Sequence, residues 1–247
     1  MKKNLAAFRY SDQKIIPLYA SEGVRGAFPL TPAVAGSRDA ALVAKRAVDI
    51  VFSLAVIVLG LPFYALIAAL IKITSEGPVL FVQDRVGKDC RPFKFYKFRT
   101  MLVDCNDSPH RNFAEDFIKG RLMHDEENGR VFKLKNDPRV TAIGRFLRRS
   151  SLDELPQFIN VLRGEMTLVG PRPPLAYELA LYKEWHRGRL GVKPGLTGLW
   201  QVSGRSTVPF DEMVMLDLYY IENWSLALDM KIILRTVPVM VFGLGGY

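Results

Sequence analysis

The chain has 247 residues, and its 34 lysines and arginines against 25 aspartates and glutamates give a formal net charge of +9. At 49% hydrophobic and 24% charged residues it is neither disordered nor fibrous, and it is long enough to bury a core without disulfides or metals. Cys90 and Cys105 form no CxxC pair, which excludes a disulfide framework and a structural zinc site, and the positive balance points to a polyanionic partner: nucleic acid, anionic lipid or a phosphorylated substrate.

Residues 1–40 read as a disordered tail, since SEGVRGAFPLTPAVAGSRDA is rich in Gly, Pro, Ala and Ser and lacks periodicity. Residues 41–73 read as a membrane segment. Its uncharged run, Ile50 to Ile71, would extend about 33 Å as a helix, close to the hydrocarbon thickness of a bilayer. Lys45 and Arg46 precede the run and Lys72 follows it, so positive charge flanks both ends. A spanning helix favours asymmetry. Pro62, just after Gly60, predicts a bend near the middle. A re-entrant hairpin that enters and leaves by the cytoplasmic face satisfies both facts; a kinked spanning helix is the alternative.

Residues 74–247 read as one mixed domain. VLFVQDRVG and FKFYKFRTM are strand candidates. Residues 105–130 carry acids (Asp107, Glu115, Asp116, Asp125, Glu126, Glu127) mixed with bases (Arg111, Lys119, Arg121, Arg130), and predict a solvated insertion with a helix around Phe113–Leu122. A helix bearing Arg145, Arg148 and Arg149 comes next. Ser151-Leu152-Asp153-Glu154 matches a capping box that would start a second helix, and Gly164 should end it. Met166–Val169 predicts a short strand, and Gly170-Pro171-Arg172-Pro173-Pro174 a stiff turn. Two helices close the chain, about Phe210–Ile221 and Leu226–Phe242. The last is apolar with Lys231 and Arg235 on it, and fits either a membrane interface or the core.

Chemistry concentrates around Asp153 and Glu154. Adjacent acids in a first helical turn are favoured by the helix dipole alone. Here they lie among Arg145, Arg148, Arg149 and Arg172, and such a set can hold a divalent metal and a phosphate together. The metal offsets repulsion between carboxylate and phosphate, which lets a carboxylate act as nucleophile on phosphorus. Arg172 stands between prolines, a stiff mount suited to bidentate phosphate binding. Lys97 and Arg99 either reach a phosphate or decorate a strand. Asp217 interrupts an apolar helix face, as a buried hydrogen-bonding acid or as part of the site. His186 reads as structural.

KFRTM, RVTAIGRFLRRSSLDELPQFINVLRGEMTLVGPRPP, KPGLTGLWQVSGR and LDLYYIENWSLALDMKII together resemble the bacterial sugar transferase family, the monotopic phosphoglycosyl transferases that begin surface-glycan assembly. The resemblance runs from about Lys45 to Tyr247. It implies an α+β, membrane-associated protein: one N-terminal re-entrant membrane helix, then a compact cytosolic catalytic domain with small sheet elements and interfacial helices. It implies transfer of a sugar 1-phosphate from a UDP-sugar to polyprenyl (undecaprenyl) phosphate at the bacterial inner membrane. It further implies Asp153 as nucleophile, Glu154 as its partner at a magnesium (Mg2+) site, and Arg148 and Arg172 as phosphate ligands, with Lys97 and Arg99 matching a basic strand motif. Nucleic acid is not an expected partner; the lipid bilayer is, and a homodimer is left open. The family often has Ser-Pro at the helix break, where this chain has Leu61-Pro62, and residues 105–130 are longer than in its compact members. The rival class is a membrane-tethered basic protein that binds anionic lipid or nucleic acid without chemistry. A plain polyanion patch would not put two acids at its centre. A second rival moves only the sugar and releases UDP instead of UMP.

Overall fold

The computed structural model describes residues 35–103, 108–121, 137–203 and 208–241. Most of the tail 1–40 and parts of 105–130 lie outside them. Helix α1 (Ala35–Thr74) contains the whole uncharged run and continues through Pro62. It starts ahead of the expected boundary at 41, at Ala35. It is long and apolar enough to cross a membrane.

The two faces of α1 differ. Asp49, Ser53, Ile67 and Ile71 are buried and Tyr64 is half-buried, at the spacing of one helical stripe. The other side exposes Val51, Leu54, Val58, Leu59, Leu61, Phe63 and Leu66, an apolar surface that water does not favour. The buried stripe docks on the rest of the chain along its length. Arg46 donates to the carbonyls of Val161 (2.6 Å) and Leu162 (2.8 Å). Lys45 meets Asp229 at 2.6 Å, and Asp49 accepts from Thr167 Oγ1 (2.7 Å) and Leu168 N (3.0 Å). Further on, Tyr64 donates to Leu155 O (2.9 Å), and Ile67 and Ile71 pack with Phe98 and Leu147.

Beyond α1 the α+β expectation holds. Strands β1 (Leu80–Val86) and β2 (Pro92–Phe98) form an antiparallel hairpin in which Gln83 faces Phe95 and Arg85 faces Phe93. Helix α2 (Ser108–Ile118) falls earlier than its predicted span. Helix α3 (Ala142–Arg149) is capped by Thr141, whose hydroxyl accepts from Gly144 N at 3.0 Å. Gly144 lies so close to the hairpin exit that a Cβ there would stand 2.0 Å from Thr100 O. Helix α4 (Gln157–Arg163) ends at Gly164, which is left-handed with φ 77°, as the sequence predicts. Strands β3 (Thr167–Val169) and β4 (Gly195–Thr197) pair in parallel. The short helix α5 (Ala176–Leu179) and a 3-10 segment, Glu184–Gly191, connect them. Helices α6 (Leu199–Ser203), α7 (Phe210–Glu222) and α8 (Leu226–Val241) follow. The main core joins Phe95, Phe158, Val161, Met166 and Val169 to Val214 and Ile232. His186 is fully buried, its Nε2 3.1 Å from Asp211 Oδ1, as a structural residue should be. Helix α8 buries Asp229 and Ile232 and exposes Met230, Leu234 and Val237.

One local expectation is corrected. Ser151 does not form a capping box. It takes a left-handed conformation (φ 57°) instead of the extended one typical of a cap residue, and its side chain makes no cap hydrogen bond. A separate 3-10 turn, Leu152–Glu154, follows, and α4 starts only after Pro156, whose missing N–H suits a helix start. Asp153 and Glu154 therefore sit on a short turn of their own.

Candidate active site

The 3-10 turn places two carboxylates against the end of β2. Lys97 Nζ lies 2.7 Å from Glu154 Oε1 and 3.5 Å from Asp153 Oδ2. From the other side Arg172 Nη1 approaches Glu154 Oε1 at 3.7 Å. Arg148, in the last turn of α3, is fixed by its Nε donating to Thr100 Oγ1 at 2.8 Å. Asp153 is 7% exposed, and burial raises its carboxyl above the usual range. Lys97 and Arg148 pull it back toward the carboxylate, while the charge of Glu154 pushes it further up.

Arg172 owes its placement to an unusual turn. Three of the residues from Pro171 to Pro174 are prolines and offer no N–H. Every carbonyl of the four is held from outside. Pro171 O accepts from Gly195 N (2.8 Å), Arg172 O from Arg189 Nη2 (3.4 Å), Pro173 O from Arg85 Nη1 (3.0 Å) and Pro174 O from Val86 N (2.9 Å). The backbone is locked, so the Arg172 side chain projects from a fixed base. Arg172→Lys should lower kcat/KM by about 10- to 100-fold, the loss of roughly 1.5–3 kcal/mol carried by a charge-assisted hydrogen bond. Steady-state kinetics test this, and near-normal values would leave Arg172 a surface residue.

Two residues that the sequence suggested for the site lie apart from this cluster. Arg99 is buried and donates to Glu76 O (2.5 Å), Ser75 O (2.8 Å) and Ser75 Oγ (3.0 Å), tying the exit of α1 to the hairpin. Asp217 is 1% exposed on α7 and pairs with buried Arg189, whose Nη1 also donates to Tyr182 OH (3.1 Å). Asp217 thus stands behind the Arg172 turn, one residue removed from it. The sequence reading passed over Arg189, hidden in the polar stretch WHRGRLG, and Arg85. The signal for Arg85 is the hairpin register, which puts Arg85, Gln83, Phe95 and Lys97 on one face.

Paired carboxylates ringed by cations thus lie on a domain docked along a helix long and apolar enough to cross a membrane. A family model described as bacterial sugar transferase matches residues 40–243, and the chain belongs to that family. It is 46% identical over 206 residues to the galactosyl transferase CpsE of Streptococcus agalactiae, covering 83% of this chain and 43% of that protein. It is 41% identical over 204 residues to the exopolysaccharide production protein ExoY of Rhizobium meliloti, covering 83% of this chain and 88% of that protein. With the undecaprenyl-phosphate galactose phosphotransferase of Salmonella typhimurium it shares 43% identity over 204 residues, 82% of this chain and 41% of that protein. The chain thus spans less than half the length of two of these relatives.

Proposed function

We propose that the protein transfers a sugar 1-phosphate from a UDP-sugar to polyprenyl phosphate and releases UMP, at the start of exopolysaccharide, capsule, O-antigen or glycoconjugate assembly. The observation that carries this reading is the Asp153–Glu154 pair held among Lys97, Arg148 and Arg172. In the first step an Asp153 oxygen attacks the β-phosphorus; the bond to the bridging oxygen breaks and its electron pair leaves with UMP. In the second, the polyprenyl phosphate oxygen attacks the same phosphorus and the Asp153 carboxylate is released. Lys97, Arg148 and Arg172 oppose the charge that develops on the phosphoryl oxygens.

Asp153 and Glu154 also fit a magnesium ion. The adjacent carboxylates support this reading, since magnesium binds one or two carboxylates together with substrate phosphates. When bound it would neutralise phosphate charge. The names of the relatives favour this reading over a binding protein without chemistry, and so does the carboxylate pair.

The docking of α1 favours a monotopic placement at the cytoplasmic face of the inner membrane. Lys45, Arg46 and Asp49 near one end, and Ile67 and Ile71 near the other, rest on the same domain. A helix crossing the bilayer would pull that domain in with it. Single cysteines near Lys45 and near Lys72 should both react with an impermeant thiol reagent only from the cytoplasmic side. Reaction of one end from the outside would establish a spanning helix.

Covalent labelling tests the reaction. With a UDP-sugar labelled in the sugar and β-phosphate, and no acceptor, the wild type should keep label on a peptide containing Asp153 and release an equal amount of UMP. Release of UDP would establish a transferase that moves the sugar alone.

A further inference from the structure

Arg85 lies at the far end of the same site. The hairpin register sets Lys97 and Arg85 on either side of the buried Phe95 ring, with Lys97 Nζ 5.7 Å and Arg85 Cζ 5.3 Å from its centre. Arg85 spends one N–H on Pro173 O (3.0 Å) and one on Gln83 Oε1 (3.1 Å). Three of its five donors have no partner among the described residues.

The charges form a line of successive neighbours, read from pairwise contacts. Asp153 meets Lys97, Lys97 meets Glu154, Glu154 meets Arg172, and Arg172 neighbours Arg85. Burial lowers the Arg85 guanidinium to about 10, and the adjacent Arg172 charge adds to the effect. Glu178 is the other acid close by, and its carboxylate already accepts from Leu175 N at 2.9 Å. Arg85 is bonded to the carbonyl of the residue next to Arg172 and has donors to spare, so the two arginines can form a clamp for an anion. Asp153 fixes the other end of the line.

We propose that Arg85 is a donor-binding residue which, with Arg172, holds the phosphate that departs with the nucleoside. This rests on the UDP-sugar reading above, in which Asp153 faces the sugar-bearing phosphorus. The second phosphate then falls toward the end of the line occupied by Arg172 and Arg85. Holding Pro173 O is a separate, positioning contribution of the same side chain.

The test separates the two contributions. The full chain in detergent is titrated with UMP and with uridine, for the wild type, Arg85→Gln and Arg85→Lys, and UMP product inhibition is measured alongside. Arg85→Gln should weaken UMP at least tenfold, raise KM for the UDP-sugar and leave uridine binding nearly unchanged. Arg85→Lys should recover part of the UMP affinity by restoring the charge. Equal losses for UMP and uridine would reduce Arg85 to a structural residue, and unchanged UMP affinity in folded Arg85→Gln would overturn the proposal. If the wild type binds no UMP, the UDP-sugar reading fails and this inference falls with it; wild-type binding that Arg85→Gln leaves intact sinks this inference alone.

Discussion

Asp153→Asn should abolish turnover while the protein remains folded. The amide matches the carboxyl in size and keeps one carbonyl oxygen, so the Leu152–Glu154 turn and its contact with Lys97 can persist. It is far too weak a nucleophile to open a phosphoanhydride. Glu154→Gln should be severely impaired as well, because Lys97 at 2.7 Å and Arg172 at 3.7 Å both lose the charge that orients them. If the two acids only stabilised a helix start, each change would cost about 1 kcal/mol or less and leave the chemistry intact. The acid side of the activity profile provides a second check. Burial raises the Asp153 carboxyl, so activity should fall on acidification at a higher pH than an ordinary aspartate would give. Arg148→Gln removes one of the charges that favour the carboxylate, and should move that limb higher still. Full activity in Asp153→Asn, or label found on another peptide, would end the nucleophile assignment.

Periodicity made much of the fold legible in the sequence. The uncharged run gave α1, alternation gave β1 and β2, and Gly164 gave the end of α4. The capping box at Ser151 was misleading for a physical reason: the same four residue types serve a helix start or a free-standing turn, and only the left-handed φ of Ser151 separates them. Asp153, Glu154, Lys97, Arg148 and Arg172 come together because they lie at element ends that converge. Arg99 and Asp217 stood out in the sequence for the same reason, as polar residues in apolar surroundings, yet their nearest partners are the α1 exit and Arg189. Composition cannot distinguish a charge buried to fix the backbone from one turned toward a ligand. Arg85 and Arg189 went unseen because their roles depend on a strand register and on a partner 28 positions away.

Replacing Asp217 should cost more than replacing Arg189, although the two form one pair. Both are buried, at 1% and 6% exposure, and Asp217 Oδ1 has no partner among the described residues. Burial pushes the Asp217 carboxyl up to about 6 against the opposing pull of Arg189. Desolvation therefore outweighs the attraction at the acid, and the pair is poor evidence of added stability. Its use is geometric, because Arg189 also holds the carbonyl of Arg172. Asp217→Leu strands a guanidinium that cannot shed its proton, at a cost of about 3–5 kcal/mol. Arg189→Met strands a carboxyl that can take one up, so its loss should be smaller. Because the folded pKa of Asp217 lies above its ordinary value, the carboxyl's contribution is fully present below that ordinary value and is lost as pH rises through the folded pKa. In the wild type that pKa is about 6, and without Arg189 it should move higher. Arg189→Met should therefore regain stability between pH 7 and pH 5. The double variant should melt close to the wild type yet lose transferase activity, since the Arg172 turn has lost one of its four ties. Thermal melting of the three variants at pH 5 and pH 7, with activity measured alongside, decides the matter. An Asp217→Leu protein as stable as the wild type would remove the buried charge from the argument, and a fully active double variant would detach the pair from Arg172.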